Sequence, residues 1–68
     1  MVKYIVTKNN APIAEINIYS DLGLYVYTVD EEQSEPIYFP NKLAASKMAL
    51  ALTWLENSYD YGWEKVNV

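Results

Sequence analysis

Ile13-Ala14-Glu15-Ile16-Asn17-Ile18-Tyr19 alternates apolar and polar side chains almost residue by residue, the period of a strand with one face buried. The alternation predicts Ala14, Ile16 and Ile18 toward a core and Glu15, Asn17 and Tyr19 toward solvent. Upstream, residues 2 to 8 repeat the pattern, with Val2, Tyr4 and Val6 on one side and Lys3, Ile5 and Thr7 on the other. Between the two runs, Asn9-Asn10-Ala11-Pro12 combines residues that tolerate left-handed backbone angles with one that cannot donate to a ladder, which marks a hairpin turn. Downstream, Ser20-Asp21-Leu22-Gly23 is a second turn, and residues 24 to 30 form a third strand rich in β-formers. Leu24, Val26 and Thr28 share one of its faces and Tyr25, Tyr27 and Val29 the other. The pattern alone leaves open which face is buried.

Pro36-Ile37-Tyr38-Phe39 predicts a short fourth strand, because a leading proline suits a strand start or a sheet edge and Pro40 keeps Phe39 extended. From Lys42 to about Asn57 the chain holds no glycine or proline and is rich in alanine and leucine, with Asn41 placed to cap it, so this segment is a helix. Asn57 or Gly62 is placed to supply a left-handed stop, and Trp63 to Val68 follows as a last strand. The expected order is β-β-β-β-α-β. The fold class is α+β: one small domain spanning residues 1–68, an antiparallel sheet of four to five strands packed on one α-helix.

On the helix, Ala44, Met48, Ala51, Leu52 and Leu55 make one apolar stripe with Tyr59 at its end, the expected core face. Leu43, Leu50 and Trp54 fall about a third of a turn away, around Lys47. Either the last strand, with Tyr61 and Trp63, covers this second stripe, or it is a contact surface for a partner or a second copy.

The residue inventory removes whole classes of function. The chain has no cysteine, histidine or arginine, so disulfide frameworks, most transition-metal centres and the usual nucleophile–base pairs have no side chains to build them. Gly23 and Gly62 are the only glycines and stand apart, which leaves no phosphate-cradling loop. Asp60 and Glu64 are close enough in sequence to meet, but two solvated carboxylates near a chain end are surface far more often than a catalytic dyad. No enzyme, cofactor or metal is expected. Five lysines face nine acids for a net charge of −4, against the basic stripe that phosphate neutralisation needs. Strands followed by a helix are topologically like the sheet-type DNA-binding modules of integrases, but the charge argues against nucleic-acid binding. Asp30, Glu31, Glu32 and Glu35 carry the whole net charge, since lysines and acids balance elsewhere. This loop lacks the alternating ligands and central glycine of a calcium site; it is either a solvated connection or a rim that draws in a basic surface. The apolar stretch from Leu43 to Leu55 is too short for a membrane span, and the first residues lack the pattern of a secretion signal; a cytoplasmic, non-membrane protein is expected.

Seven tyrosines and two tryptophans in 68 residues suit a binding face, because tyrosine offers apolar area with a polar tip. Ile5, Tyr19, Tyr25 and Tyr27 lie together on the outer sheet face if strand three buries its Leu24/Val26 side. If that strand is flipped, the tyrosines are core. In size, acidity and aromatic content the chain resembles, in type only, the small stoichiometric inhibitors encoded by phages and mobile elements, anti-CRISPR and other anti-defence proteins among them, and some antitoxins. No motif carries the likeness and no residue role is transferred. The expected function is a protein-binding module that occupies a larger protein's surface through Ile5, Tyr19, Tyr25 and Tyr27, with Asp30, Glu31, Glu32 and Glu35 as rim. Leu43, Lys47, Leu50 and Trp54 form a second candidate interface. The alternative is a structural or accessory subunit that works as a homodimer or larger homo-oligomer.

Overall fold

The computed structural model describes residues 1–19, 23–30 and 35–68. Its elements are β1 (Val2–Lys8), β2 (Ala11–Tyr19), β3 (Gly23–Thr28), α1 (Lys42–Leu55) and β4 (Tyr61–Asn67). The strands form one antiparallel sheet in the order β3-β2-β1-β4, with α1 beside it. The α+β class and the single helix are as the sequence predicts.

The β1–β2 hairpin turns on Asn9 and Asn10, whose φ values of 51° and 70° are both in the left-handed region that a two-residue turn of this kind requires. The turn is tied to the start of β4: the Asn9 N–H donates to the Asp60 carbonyl at 2.7 Å, and the Asp60 N–H donates to Asn9 Oδ1 at 2.9 Å.

Beyond this turn the two strands separate. Their pairing covers only Thr7 with Pro12 and Lys8 with Ala11. The segment expected as a fourth strand occupies the gap and forms a single bridge instead of a full ladder. Phe39 exchanges two backbone hydrogen bonds with Tyr4, at 2.7 and 3.0 Å, while the Ile37 N–H donates to the Ile13 carbonyl at 2.9 Å. One short segment therefore satisfies backbone groups on both diverging strands.

Between Ile13 and Glu15 the pairing of β2 with β3 shifts by one residue. An inserted residue reverses the inside–outside phase of everything beyond it, so Ile13 and Ile16 both turn toward the core although three positions apart. Here the strict alternation fails. Ile13, not Ala14, is the buried residue at 1% exposure, and Ile18 is 73% exposed, at the far end of the hairpin.

The helix begins where expected. Asn41 Oδ1 accepts from the Ala44 N–H at 2.9 Å, satisfying one of the amide groups that a helix start leaves free. It stops at Glu56, in extended backbone with its N–H on the Leu52 carbonyl, so neither Asn57 nor Gly62 supplies a left-handed cap. Gly62 lies in β4 instead, where a Cβ would come within 3.3 Å of Thr7 Oγ1.

Val6, Ile13, Ala45, Ala49 and Leu52 are the buried core, with Tyr4, Ile16, Leu24, Val26, Ile37, Phe39, Met48 and Tyr61 packed against it. The face turned inward is thus rotated from the expected stripe: Met48 and Leu52 belong to it, whereas Ala51 and Leu55 are exposed. Ala45 and Ala49 lie one turn apart, and their small side chains allow the helix axis to come close to the sheet.

Candidate interaction surface

Leu24 and Val26 pack against the core, and alternation along the strand then turns Tyr25 and Tyr27 to the opposite face. Register adds their neighbours: Tyr27 lies across from Glu15, Tyr25 from Asn17 and Gly23 from Tyr19. The outer face of the β2–β3 hairpin therefore holds Glu15, Asn17, Tyr19, Tyr25 and Tyr27. Tyr25 and Tyr27 are each 43% exposed and Tyr19 46%. Each buries part of its ring on the sheet and offers the rest to solvent. Tyr19 and Tyr25 meet edge to face, with ring centroids 5.6 Å apart, a favoured aromatic geometry that fixes the two rings relative to each other. The Asn17 amide donates to the Glu15 carboxylate at 3.2 Å. Among the described residues of this hairpin, the face holds three aromatic rings, one carboxylate and no lysine.

Ile5 does not join it. The side chain is 3% exposed, which removes it from the expected anchor set. β1 is an interior strand, with Glu64 of β4 directly across from Ile5 and the bridge to Phe39 closing its other side. Neighbours on both flanks shield the outward side chains of such a strand, and Thr7, two residues on, is buried as well. The exposed aromatic face is therefore confined to β2 and β3. Asp30 and Glu35 are exposed at the two ends of the acidic loop; Glu31 and Glu32 lie outside the described residues.

The second stripe is uncovered. Leu43 is 63%, Leu50 59% and Trp54 83% exposed, and Lys47 between them is exposed too. Tyr61 and Trp63 do not reach it. Trp63 meets Tyr4 with centroids 6.0 Å apart and lies 5.3 Å beneath the Lys42 ammonium, at the start of α1. Tyr61 donates its hydroxyl to Glu56 at 2.6 Å and packs edge-on against Tyr59. Burial, followed by the hydrogen bond to the Glu56 carboxylate and its charge, pushes the Tyr61 phenol above its ordinary range.

A feature that the sequence pattern did not single out is the setting of Lys8. Its ammonium sits 3.8 Å from the Tyr59 ring centroid and donates to the Val26 carbonyl at 3.4 Å, beside an open pocket of about 290 Å³ lined by Lys8, Asn9, Ala11, Val26 and Thr28. Its charge is already engaged by a ring and a carbonyl, a bracing arrangement between β1, β3 and the segment before β4. Among the described residues, no group of three or more Asp and Glu converges as a metal site, and no helix is long and apolar enough to cross a membrane.

Comparison with protein-family models, with curated proteins and with solved structures yields no match for this chain.

Proposed function

We propose that this chain is a small, non-enzymatic protein-binding module that works in the cytoplasm as a stoichiometric inhibitor, of the phage or mobile-element anti-defence type, by occupying a surface of a larger protein. The observation that supports this reading is the placement of Tyr19, Tyr25 and Tyr27 on one exposed face. Tyrosines that are held on a sheet and half exposed lose little further freedom on docking, the property that makes them frequent anchors in interfaces. Glu15 within the face, with Asp30 and Glu35 beyond it, favours a partner surface rich in lysine or arginine, whose cations also stack on tyrosine rings.

The test compares the wild-type chain with Tyr25→Ala/Tyr27→Ala as baits in a pull-down from host lysate, with quantitative mass spectrometry of what each retains. The double variant should keep its fold by circular dichroism and lose the principal captured protein. Retention of the same protein at the same level by a folded double variant would remove the tyrosine face from the interface.

A further inference from the structure

Leu43, Lys47, Leu50 and Trp54 are spaced four, three and four residues apart. At about 100° per residue they fall on one narrow line along α1. That line runs on the side of the helix opposite Ala45, Ala49 and Leu52, the buried residues. The outer pole of α1 is therefore lined by large apolar side chains and its inner pole largely by small ones. A helix that is apolar on both poles is ordinarily covered on both, and a four–three–four repeat is the spacing of a seam between two helices.

Three observations favour a second copy of this chain as the cover. The first is symmetry. The four positions are related by reversal about the point between Met48 and Ala49, with Leu43 and Trp54 outermost and Lys47 and Leu50 within. A copy turned end for end places Leu43 against Trp54 of the second copy at both ends, and Leu50 beside the aliphatic stem of the facing Lys47. A two-fold interface requires this kind of self-complementary surface. The second is charge. Residues 42 to 55 contain no acid, and all nine acids lie elsewhere, so this face brings two copies of an acidic protein together where their acids are absent. The third is area. Leu43, Leu50 and Trp54 are 63%, 59% and 83% exposed and adjoin one another, an apolar patch of the few-hundred-Å² size that often marks an interaction site. Only the facing part of each stripe is buried when two copies meet, so the contact lies below the roughly 1,200 Å² of a standard specific interface and in the range of weak, transient ones.

We propose that α1 mediates a two-fold homodimer through this stripe, with the helices antiparallel. The interface is small and brings the two Lys47 ammonium groups toward each other, so the dimer is weak and Lys47 limits it. Long lysine stems lie along apolar surface while their heads reach water, which sets orientation at the expense of affinity. The proposal is independent of the tyrosine face, which belongs to the hairpin.

Sedimentation velocity across about 1 μM to about 1 mM protein tests it, because affinities in that span match an interface of this size. The wild type should pass from monomer to dimer within the range. Leu50→Glu should remain monomeric throughout while keeping its helical circular dichroism, since it replaces an exposed residue. Lys47→Leu should strengthen dimerisation by about tenfold, through loss of the like charges and gain of apolar contact. A different, acidic partner would reverse that sign, because Lys47→Leu would remove its counter-charge and weaken its binding. Wild-type monomer at every concentration, a dimer insensitive to Leu50→Glu, or a dimer weakened by Lys47→Leu would each overturn the proposal.

Discussion

Replacing Ile13 by alanine removes a side chain that is 1% exposed, whereas the same change at Ile18 removes one that is 73% exposed. The two belong to one strand and one apolar run, and strict alternation gives them opposite roles from those observed. The shift in pairing between Ile13 and Glu15 turns Ile13 inward, whereas Ile18 keeps the phase of Ile16 and is exposed because it lies at the far end of the hairpin, across from Leu24. Truncating a fully buried isoleucine loses its transfer energy and leaves a cavity among Val6, Ala49 and Leu52, together costing about 2–5 kcal/mol. A chain of this length has a total stability of only about 3–10 kcal/mol, so Ile13→Ala consumes a large share of it. At roughly 4–8 °C per kcal/mol for a small domain, its melting temperature should fall by more than about 10 °C. Ile18→Ala should stay within about 0.5 kcal/mol of wild type, as exposed substitutions do. Urea titrations followed by tryptophan fluorescence measure both, with the slope checked for constancy. A cost at Ile13 as small as at an exposed site would refute the register shift that turns it inward, and a greater cost at Ile18 would return β2 to a strand that buries Ala14, Ile16 and Ile18.

Asn41→Ala should cost about 1 kcal/mol, because it leaves the Ala44 N–H at the helix start without its acceptor; Asn41→Asp should restore most of the loss in the same titration. Ile5→Asp should unfold the protein instead of weakening a contact, since it places an unpaired carboxylate at a buried position; a folded variant by circular dichroism would contradict the burial. Tyr61→Phe should alter the stability profile at high pH. The folded state holds the Tyr61 proton more tightly than the unfolded state, so this contribution is intact below the ordinary phenol pKa of about 10 and declines as pH rises through it. The wild type should therefore lose stability relative to Tyr61→Phe above about pH 10, and a constant difference between their thermal melts across that range would count against a raised Tyr61 pKa in the folded state.

The three N-terminal strands and the helix start were legible because each rests on local chemistry: alternation in Val2–Lys8, the Asn9–Asn10 turn, the Asn41 cap. The orientation of β3 was not local. Its two faces are almost equally rich in β-formers, and the side against the core is settled by what lies across the sheet, namely Ile16 opposite Val26. The flank of β1 beside Ile5 is likewise closed by a segment more than thirty residues away, which enters between β1 and β2 and bridges Tyr4 through Phe39. The helix face differs from the apolar stripe because hydrophobicity alone favours Leu55 and Ala51, which are exposed, whereas packing selects for fit. Ala45 and Ala49 contribute little apolar area, yet they let the backbone approach, and that choice rotates the larger side chains outward.

This rotation is also why the surface is informative. More than half of any folded protein's accessible surface comes from apolar atoms, so a scattered exposed tyrosine or leucine carries no message. Alignment does. Tyr19, Tyr25 and Tyr27 are brought to one face by a register that simultaneously packs Leu24 and Val26 against the core, and Leu43, Leu50 and Trp54 are brought to one line by a helix that seats itself on Ala45 and Ala49. A core this small had larger apolar side chains available, yet among the described residues alanine holds two of the five positions in its central cluster. Stability alone gives no reason for that distribution, since filling the core with leucine and giving the outer pole of α1 polar residues would bury more apolar area for the same chain length. A pattern that leaves large apolar side chains outside, aligned and opposite the core, is accounted for when those side chains are themselves destined for burial against another surface.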